Sequence, residues 1–548
     1  MAVAGYICIA SLGNPAIYER YLTPYIERGK MKILLVYPQY PDTFWSFRHA
    51  LKFTSRKALN TPLGILTIAA MLPVDWEKKA IDMNVSRLHD NDIKWADYVF
   101  VSAMVAQQKS AREVVNRCKK LNKKVVGGGP LFTTGYKEFD FNDIDHMVLN
   151  EAEITLPLFL EDLKRGCAKR VYQTDQRADV TKTPIPLFSL LNLKKYASVT
   201  VQYSRGCPYD CEFCDIIILD GHKPRTKTRD QIIAELDSIY KAGYRGSVFV
   251  VDDNFIGNKK KLKADILPAM TEWQEKRRYP FTFLTEVSIN LADDEELMRL
   301  MSDAGFNNVF VGIETPNEES LWECNKFANK NRDLVTSVKK LQNHGFQVMG
   351  GFIVGFDSDP VSIFKSQINF IQKSGIVTAM VGLLVAPPET KLWHRLKKEN
   401  RLLPDPTGDN TDGTTNLVPK MNFDVLVNGY KQILHGIYSS KEYYERISTF
   451  LKEYRPNKKI ASKIKLEAYH LKALVKATFI LGIRDRASWH YWKLILSSLL
   501  KYPRHIGLCI TLAIQGFHFR KVYEKVREIQ IDPALLAKQQ EILAGKQI

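Results

Sequence analysis

Met31 opens the run Lys32-Ile33-Leu34-Leu35-Val36-Tyr37-Pro38, whose unbroken apolar stretch predicts a buried strand ending in a loop. Residues 1–30 differ in pattern from the rest of the chain, which leaves them as an N-terminal extension and Met31 as a candidate start. Beyond Met31, apolar runs alternate with stretches of helical period. Helices are expected over residues 61–72 and 111–121, and strands over 98–102, 125–126 and 147–149. This βαβ rhythm over residues 31–170 predicts a doubly wound parallel sheet covered by helices on both faces. Ligands of such sheets sit beyond the carboxyl ends of the strands, so Ser102, Gly127, Gly128, Gly129 and Glu151 are candidate ligand contacts. The glycine run lacks dinucleotide-binding spacing, and a plain tight turn and a ligand contact are two open readings of it.

Residues 171–195 are of mixed polarity, contain Pro184 and Pro186, and read as a linker. A second alternating series occupies residues 196–400. Its strands are expected at 198–203, 247–251, 281–286, 308–313, 347–354 and 378–385, with helices such as 231–242 and 295–304 between them. Six βα units predict a partial or complete barrel whose chemistry belongs at the C-terminal ends of the strands. Residues 401–548 turn polar and then helical, with aromatic and basic residues interleaved to the end. The fold class is α/β, with a mainly helical C-terminal domain.

Composition sharpens this picture. A chain of 548 residues exceeds one ordinary core, and 45% hydrophobic with 25% charged residues is the balance of packed globular protein. The net charge of +18 is concentrated at the end, since residues 451–548 hold 19 Lys and Arg against 7 Asp and Glu. Such a surface suits an anionic membrane, an acidic electron donor or nucleic acid, and charge alone does not choose among them or exclude a merely solvated face. No stretch reaches the roughly 18 apolar residues of a membrane span, and residues 1–30 lack the pattern of a signal peptide, so a cytoplasmic protein is expected.

Eight cysteines are too few for a disulfide scaffold, yet three of them fall within eight positions. The other five, Cys8, Cys118, Cys167, Cys324 and Cys509, are expected as small buried side chains. In Arg205-Gly206-Cys207-Pro208-Tyr209-Asp210-Cys211-Glu212-Phe213-Cys214 the three thiols lie on one short loop after the first barrel strand. Thiolates suit both zinc and iron–sulfur clusters, but a closed structural zinc site needs a fourth ligand, and only His222 lies nearby in sequence. Three thiolates on a cluster instead leave one iron open to a substrate or cofactor.

This loop resembles the CxxxCxΦC signature of the radical S-adenosylmethionine (SAM) enzymes, with Phe213 at the aromatic position. The resemblance implies a [4Fe–4S] cluster on Cys207, Cys211 and Cys214 that binds and cleaves SAM. It also implies SAM contacts at Asp253 in Asp252-Asp253-Asn254, at Glu314 after the fourth strand, and at Gly351, Ile353 and Gly355 in the fifth-strand motif. Pro387 in Ala386-Pro387-Pro388 matches the element near adenine. Two departures stand out. The usual glycine-glycine-glutamate is missing at the second strand, and Ser358 replaces a later glutamate.

Residues 31–165 resemble the Rossmann-like cobalamin-binding domains that precede a radical SAM barrel, including Pro62-Leu63-Gly64 and Glu151-Ala152-Glu153. The histidine-bearing cobalt motif is absent, so His49 is not expected as a cobalt ligand. With Gly436-Ile437-Tyr438-Ser439-Ser440-Lys441-Glu442-Tyr443-Tyr444, the whole is similar to the subgroup of hopanoid C-2 methylases and tetrapyrrole-modifying relatives. That likeness implies a cobalamin-dependent methyltransferase acting on an unactivated carbon of a lipophilic substrate, fed by a flavodoxin- or ferredoxin-type electron donor, with no nucleic acid expected. Alternatives are a tetrapyrrole modification without methyl transfer, methylthiolation, and an iron–sulfur sensor or nucleic-acid-binding protein. Residues 487–500 and 505–526 mix Trp489, Trp492, Phe517 and Phe519 with basic residues in helical pattern. That mixture fits peripheral contact with the inner face of a membrane, and equally a lid packed on the barrel.

Overall fold

A computed structural model describes residues 30–135, 142–404, 407–409, 411–457, 468–528 and 533–543. The expected N-terminal extension, apart from Lys30, and Cys8 lie outside them. In chain order the strands are β1 (Lys32–Tyr37), β2 (Ala58–Asn60), β3 (Glu77–Asp82), β4 (Tyr98–Ser102), β5 (Lys124–Gly128), β6 (His146–Val148) and β7 (Val171–Tyr172). They continue with β8 (Tyr196–Val201), β9 (Ser204–Arg205), β10 (Arg225–Thr226), β11 (Gly246–Val250), β12 (Phe281–Val287), β13 (Phe306–Glu314), β14 (Gln347–Val354) and β15 (Ala379–Leu383).

The first sheet has the order β3-β1-β4-β5-β6-β7 and is parallel throughout. Helices on both faces bury alternate residues in different cores, which is why β1 reads as an unbroken apolar run. Ile33 and Leu35 join the large core, whereas Leu34 and Val36 join a second one with Val99, Val101 and Val114. β3 escaped the sequence reading because Glu77-Lys78-Lys79-Ala80-Ile81-Asp82 is an edge strand. Its charged first half stays partly in water and shields the unpaired edge.

The second sheet has the order β15-β14-β13-β12-β11-β8-β2, again all parallel, and is an open curled half-barrel. Its edge strand β2 comes from the chain preceding β3, and Thr61 ties it to β8 by exchanging hydrogen bonds with Thr200. The stretch expected as a linker is instead packed: β7 pairs with β6, and Gln231 donates to the carbonyls of Val180 and Thr183. Short turns and prolines hid this order from a reading based on periodicity.

Helices follow the half-barrel. Phe423–Tyr438 lies on Ile363–Ser374, with Gly429 leaving room for the Phe364 ring, and Ile506–Val526 packs where Gly516 makes room for Tyr443. Among the expected buried cysteines, Cys118, Cys324 and Cys509 are buried, but Cys167 is exposed because it follows the end of helix Ala152–Lys164 in a surface turn.

Candidate active site

The cysteine loop is closed at its base by the antiparallel pair β9–β10, so residues 206–224 leave and re-enter the fold at one point. Asp252, at the end of β11, is fully buried and holds this base. It accepts from the Tyr203 and Ser204 amides at 2.7 Å each and from the Ser204 hydroxyl at 2.6 Å. Gly206 sits at φ +93° with the Gly221 carbonyl 2.8 Å from where a Cβ would stand, so only glycine fits. The Cys207 amide then donates to Gly221 at 3.1 Å. Glu212, between the second and third cysteines, accepts from Arg395 at 2.7 Å, which fastens the loop to helix Lys391–Lys398.

Cys211 is buried, and Cys207 and Cys214 are partly so; none is in a disulfide. Burial pushes all three thiols upward, because the charged thiolate is disfavoured away from water. His222 is exposed and lies 4.0 Å from Asp210. Among the described residues no three ligands converge on a single metal ion. A cluster that takes one thiolate per iron needs no such convergence, so the donor set fits it.

Three further strand ends face the loop. Burial, and then repulsion from Asp220 and Glu286, pushes Asp253 up to about 8. Glu286, at the end of β12, is pushed up to about 7 by burial. Glu314 ends β13 at φ +62°, just past a register shift, and pairs with Lys326 at 2.8 Å. Burial alone would lower the Lys326 ammonium, but Glu314, Cys211 and Cys214 raise it on balance. Gly312 permits this approach, since a Cβ there would lie 2.9 Å from Lys326 Nζ. Sequence reasoning missed both Lys326 and Glu286.

β14 contributes Gly351, Ile353 and Gly355. Gly351 is laterally paired with Gly312, and its missing side chain is occupied by the Phe310 ring. Ile353 and Phe213 pack on a small core of Cys324, Phe356, Leu384 and Ala386, which also brings in the residue preceding Pro387. Asn416 clamps Ala386 by accepting from its amide at 2.8 Å and donating to its carbonyl at 2.7 Å. Gly355, at φ +105°, donates to Asp359 at 2.9 Å. Asp359 thus anchors the turn next to Ser358, the position where the expected glutamate is missing.

Ser102, Gly127, Gly128 and Gly129 lie apart from the cysteines, at the carboxyl edge of the first sheet. Gly129 has φ +89° and a Cβ there would meet Ser102 Oγ at 2.9 Å, while Gly127 leaves room for Phe132. The space a side chain would take at Gly127, Gly128 and Gly129 is already held by the Phe132 ring, the Val148 carbonyl and Ser102, so the run is a tightly packed turn at the carboxyl edge. Glu151 is a correction. Both its oxygens are taken by Arg225 at 2.7 Å, and Arg205 and the Ala178 amide also donate to it, so it is not open to a cofactor. Arg205 also binds Glu153 at 2.6 and 3.0 Å. These arginines flank the cysteine loop, so they join the edge of the first sheet to it. His49 donates from Nε2 to the Asp42 carboxylate at 3.0 Å and lies against His518.

A parallel half-barrel with three free thiols on the loop after its first central strand defines a class, and similarity to known proteins agrees with it. Residues 201–371 match the Radical SAM superfamily, and residues 390–531 match a domain of unknown function. The chain is 42% identical to an uncharacterized methyltransferase of Synechocystis sp., over 91% of this chain and 93% of that one. It is 33% identical to the hopanoid C-2 methylase of Rhodopseudomonas palustris, over 86% of this chain and 90% of that one. The solved structure of the cobalamin-dependent radical SAM enzyme OxsB, with aqua-cobalamin and SAM bound, superposes with a TM-score of 0.58 at 16% identity, covering 97% of this chain and 86% of that one. The chain belongs to the radical SAM superfamily and, within it, to the family of the hopanoid C-2 methylase and its methyltransferase relatives.

Proposed function

We propose that this protein is a cobalamin-dependent radical SAM methylase that adds a methyl group to an unactivated carbon of a lipophilic substrate such as a hopanoid. The observation that carries this reading is the arginine clamp, in which Arg205, two residues before Cys207, is fastened to Glu151 and Glu153 at the edge of the first sheet. Two strand-end faces of the kind that hold ligands are thereby brought against one another. When bound, the [4Fe–4S] cluster supplies the electron that cleaves SAM, and cobalamin carries the methyl group to be transferred.

The chain's own residues hold and orient. Cys207, Cys211 and Cys214 would hold the cluster through their thiolates. A cation beside Asp253 offsets the repulsion from Asp220 and Glu286, which makes this carboxylate a fitting partner for the SAM ammonium. Glu314 is fixed by Lys326 through one oxygen, leaving the other for a hydroxyl of the ribose. Phe213, Gly351, Ile353, Gly355 and Pro387 would be the residues beside adenine, Phe213 and Ile353 packing on one small apolar core. Ser102 and Gly127 to Gly129, at the carboxyl edge of the first sheet, are the residues that would meet the corrinoid. An acidic flavodoxin- or ferredoxin-type protein delivers electrons in the cytoplasm.

The substrate is tested by incubating the reconstituted protein with methyl-labelled SAM, an electron donor and either a hopanoid or a chlorophyllide-type tetrapyrrole. Label in the hopanoid is expected. Label only in the tetrapyrrole would overturn the lipid substrate while keeping methyl transfer.

A further inference from the structure

Large apolar side chains are left in water chiefly at one place, the helices Ala468–Phe479 and Ser488–Lys501 with the turn between them. Leu471, Val475, Ile483, Trp489, Leu496 and Leu500 are all more than half exposed, with Trp489 at 74% and Leu500 at 86%. In the second helix the spacing is regular. Trp489, Trp492, Leu496, Leu499 and Leu500 form the outward stripe, and Tyr491, Leu494, Ile495 and Ser498 form the buried one. The helix is thus docked on the body by one face and apolar on the other as well. An exposed apolar stripe of this size, on the face opposite the buried one, marks a binding surface. The next helix, Ile506–Val526, behaves differently: Cys509, Leu512, Ala513 and Phe519 are buried, so it is a packed element.

Charge selects the partner. Residues 468–504 carry seven Lys and Arg and one acid, Asp485, which is paired with Arg520. Lys472, Arg484, Arg486, Lys493, Lys501 and Arg504 are exposed beside the apolar stripe. Tryptophan with lysine and arginine around an aliphatic face is the composition of a helix lying in a bilayer interface. Anionic headgroups add attraction for each cation near the surface. No described helix is long and apolar enough to cross a membrane. We propose that the paired helices 468–501 form a docking surface for an anionic lipid bilayer, on which the protein lies without crossing. This extends the reading of a lipophilic substrate but does not depend on it, because membrane binding and methyl transfer are measured separately.

The test uses the full-length protein and co-sedimentation with vesicles of phosphatidylglycerol and phosphatidylcholine, or phosphatidylcholine alone. The wild type is expected to sediment with the anionic vesicles. The triple variant Trp489→Ser, Leu496→Ser, Leu500→Ser should partition about tenfold or more weakly. Its melting temperature and vesicle-free SAM cleavage should be unchanged, since all three side chains face outward. Trp489 fluorescence should shift to the blue on vesicle addition, and the shift should shrink in Trp489→Phe. A wild type that stays in the supernatant, or a triple variant that binds vesicles as well as the wild type, would overturn the proposal. So would a wild-type dimer in light scattering that the triple variant abolishes, because the stripe would then be covered by a second copy.

Discussion

Lys326 pairs with Glu314 at the end of β13, and against burial, which would lower it, Glu314, Cys211 and Cys214 raise its ammonium. Lys326→Met should therefore leave a largely buried carboxylate without its partner and cost about 3–5 kcal/mol, read as a fall in denaturant midpoint. Adding Glu314→Gln should recover part of that loss, and no recovery would mean that the pair is not the source. Cys211→Ala should abolish cluster assembly, measured as bound iron and sulfide after reconstitution, together with all SAM cleavage. The cysteines were legible in the sequence because cluster ligation compresses its donors into one loop. Lys326 was not, since it lies twelve residues beyond Glu314 in a polar stretch and meets it only when helix Glu318–Glu323 turns the chain back. Asp359 was hidden for a similar reason: its partners are the backbone amides of Gly355 and Phe356 and the hydroxyl of Ser320, which lies 39 residues away in sequence.

Among the elements, the junction of the β6–helix turn with the base of the cysteine loop rests on buried charges. Burial would raise Glu153, but the guanidinium of Arg205 outweighs it and holds the carboxylate down to about 2. A carboxylate depressed in the folded state stabilises above its unfolded value, and that contribution fades as pH falls toward the folded one. The window runs from about 4.5 down to about 2, and the contribution at pH 7 is up to about 3 kcal/mol. Glu153→Gln should thus be less stable than the wild type at pH 7, with the gap narrowing between pH 5 and 3 in denaturant titrations. A gap independent of pH would contradict the ion-pair account. Six of the seven half-barrel strands were legible because apolar runs and helical periods alternate there, and the expected helix over residues 295–304 matches Glu295–Ala304. The three-residue edge strand β2 lies far away in sequence and was not foreseen. β3 and β7 were not, one being a charged edge and the other only two residues long.

At the scale of the whole molecule, two parallel sheets share one large core and meet at their carboxyl edges, with the post-barrel segment packed between. A Cβ at Gly408 would lie 2.7 Å from the Ala106 amide beyond β4, so only glycine fits that approach, and Thr411 accepts at its carbonyl from Tyr430. Trp45 reaches from the first unit to Phe310 of β13, with ring centroids 5.4 Å apart. Contacts this distant in sequence leave no local pattern, so the sequence supported two ligand-binding units but not how they face. The central claim is that one protein joins SAM cleavage to methyl transfer. Its most direct test is anaerobic reconstitution with iron, sulfide and hydroxocobalamin, then reduction in the presence of SAM and mass spectrometry of the products. The account predicts bound corrinoid with both 5′-deoxyadenosine and S-adenosylhomocysteine; a cluster-loaded, reduced protein that yields neither nucleoside would contradict it.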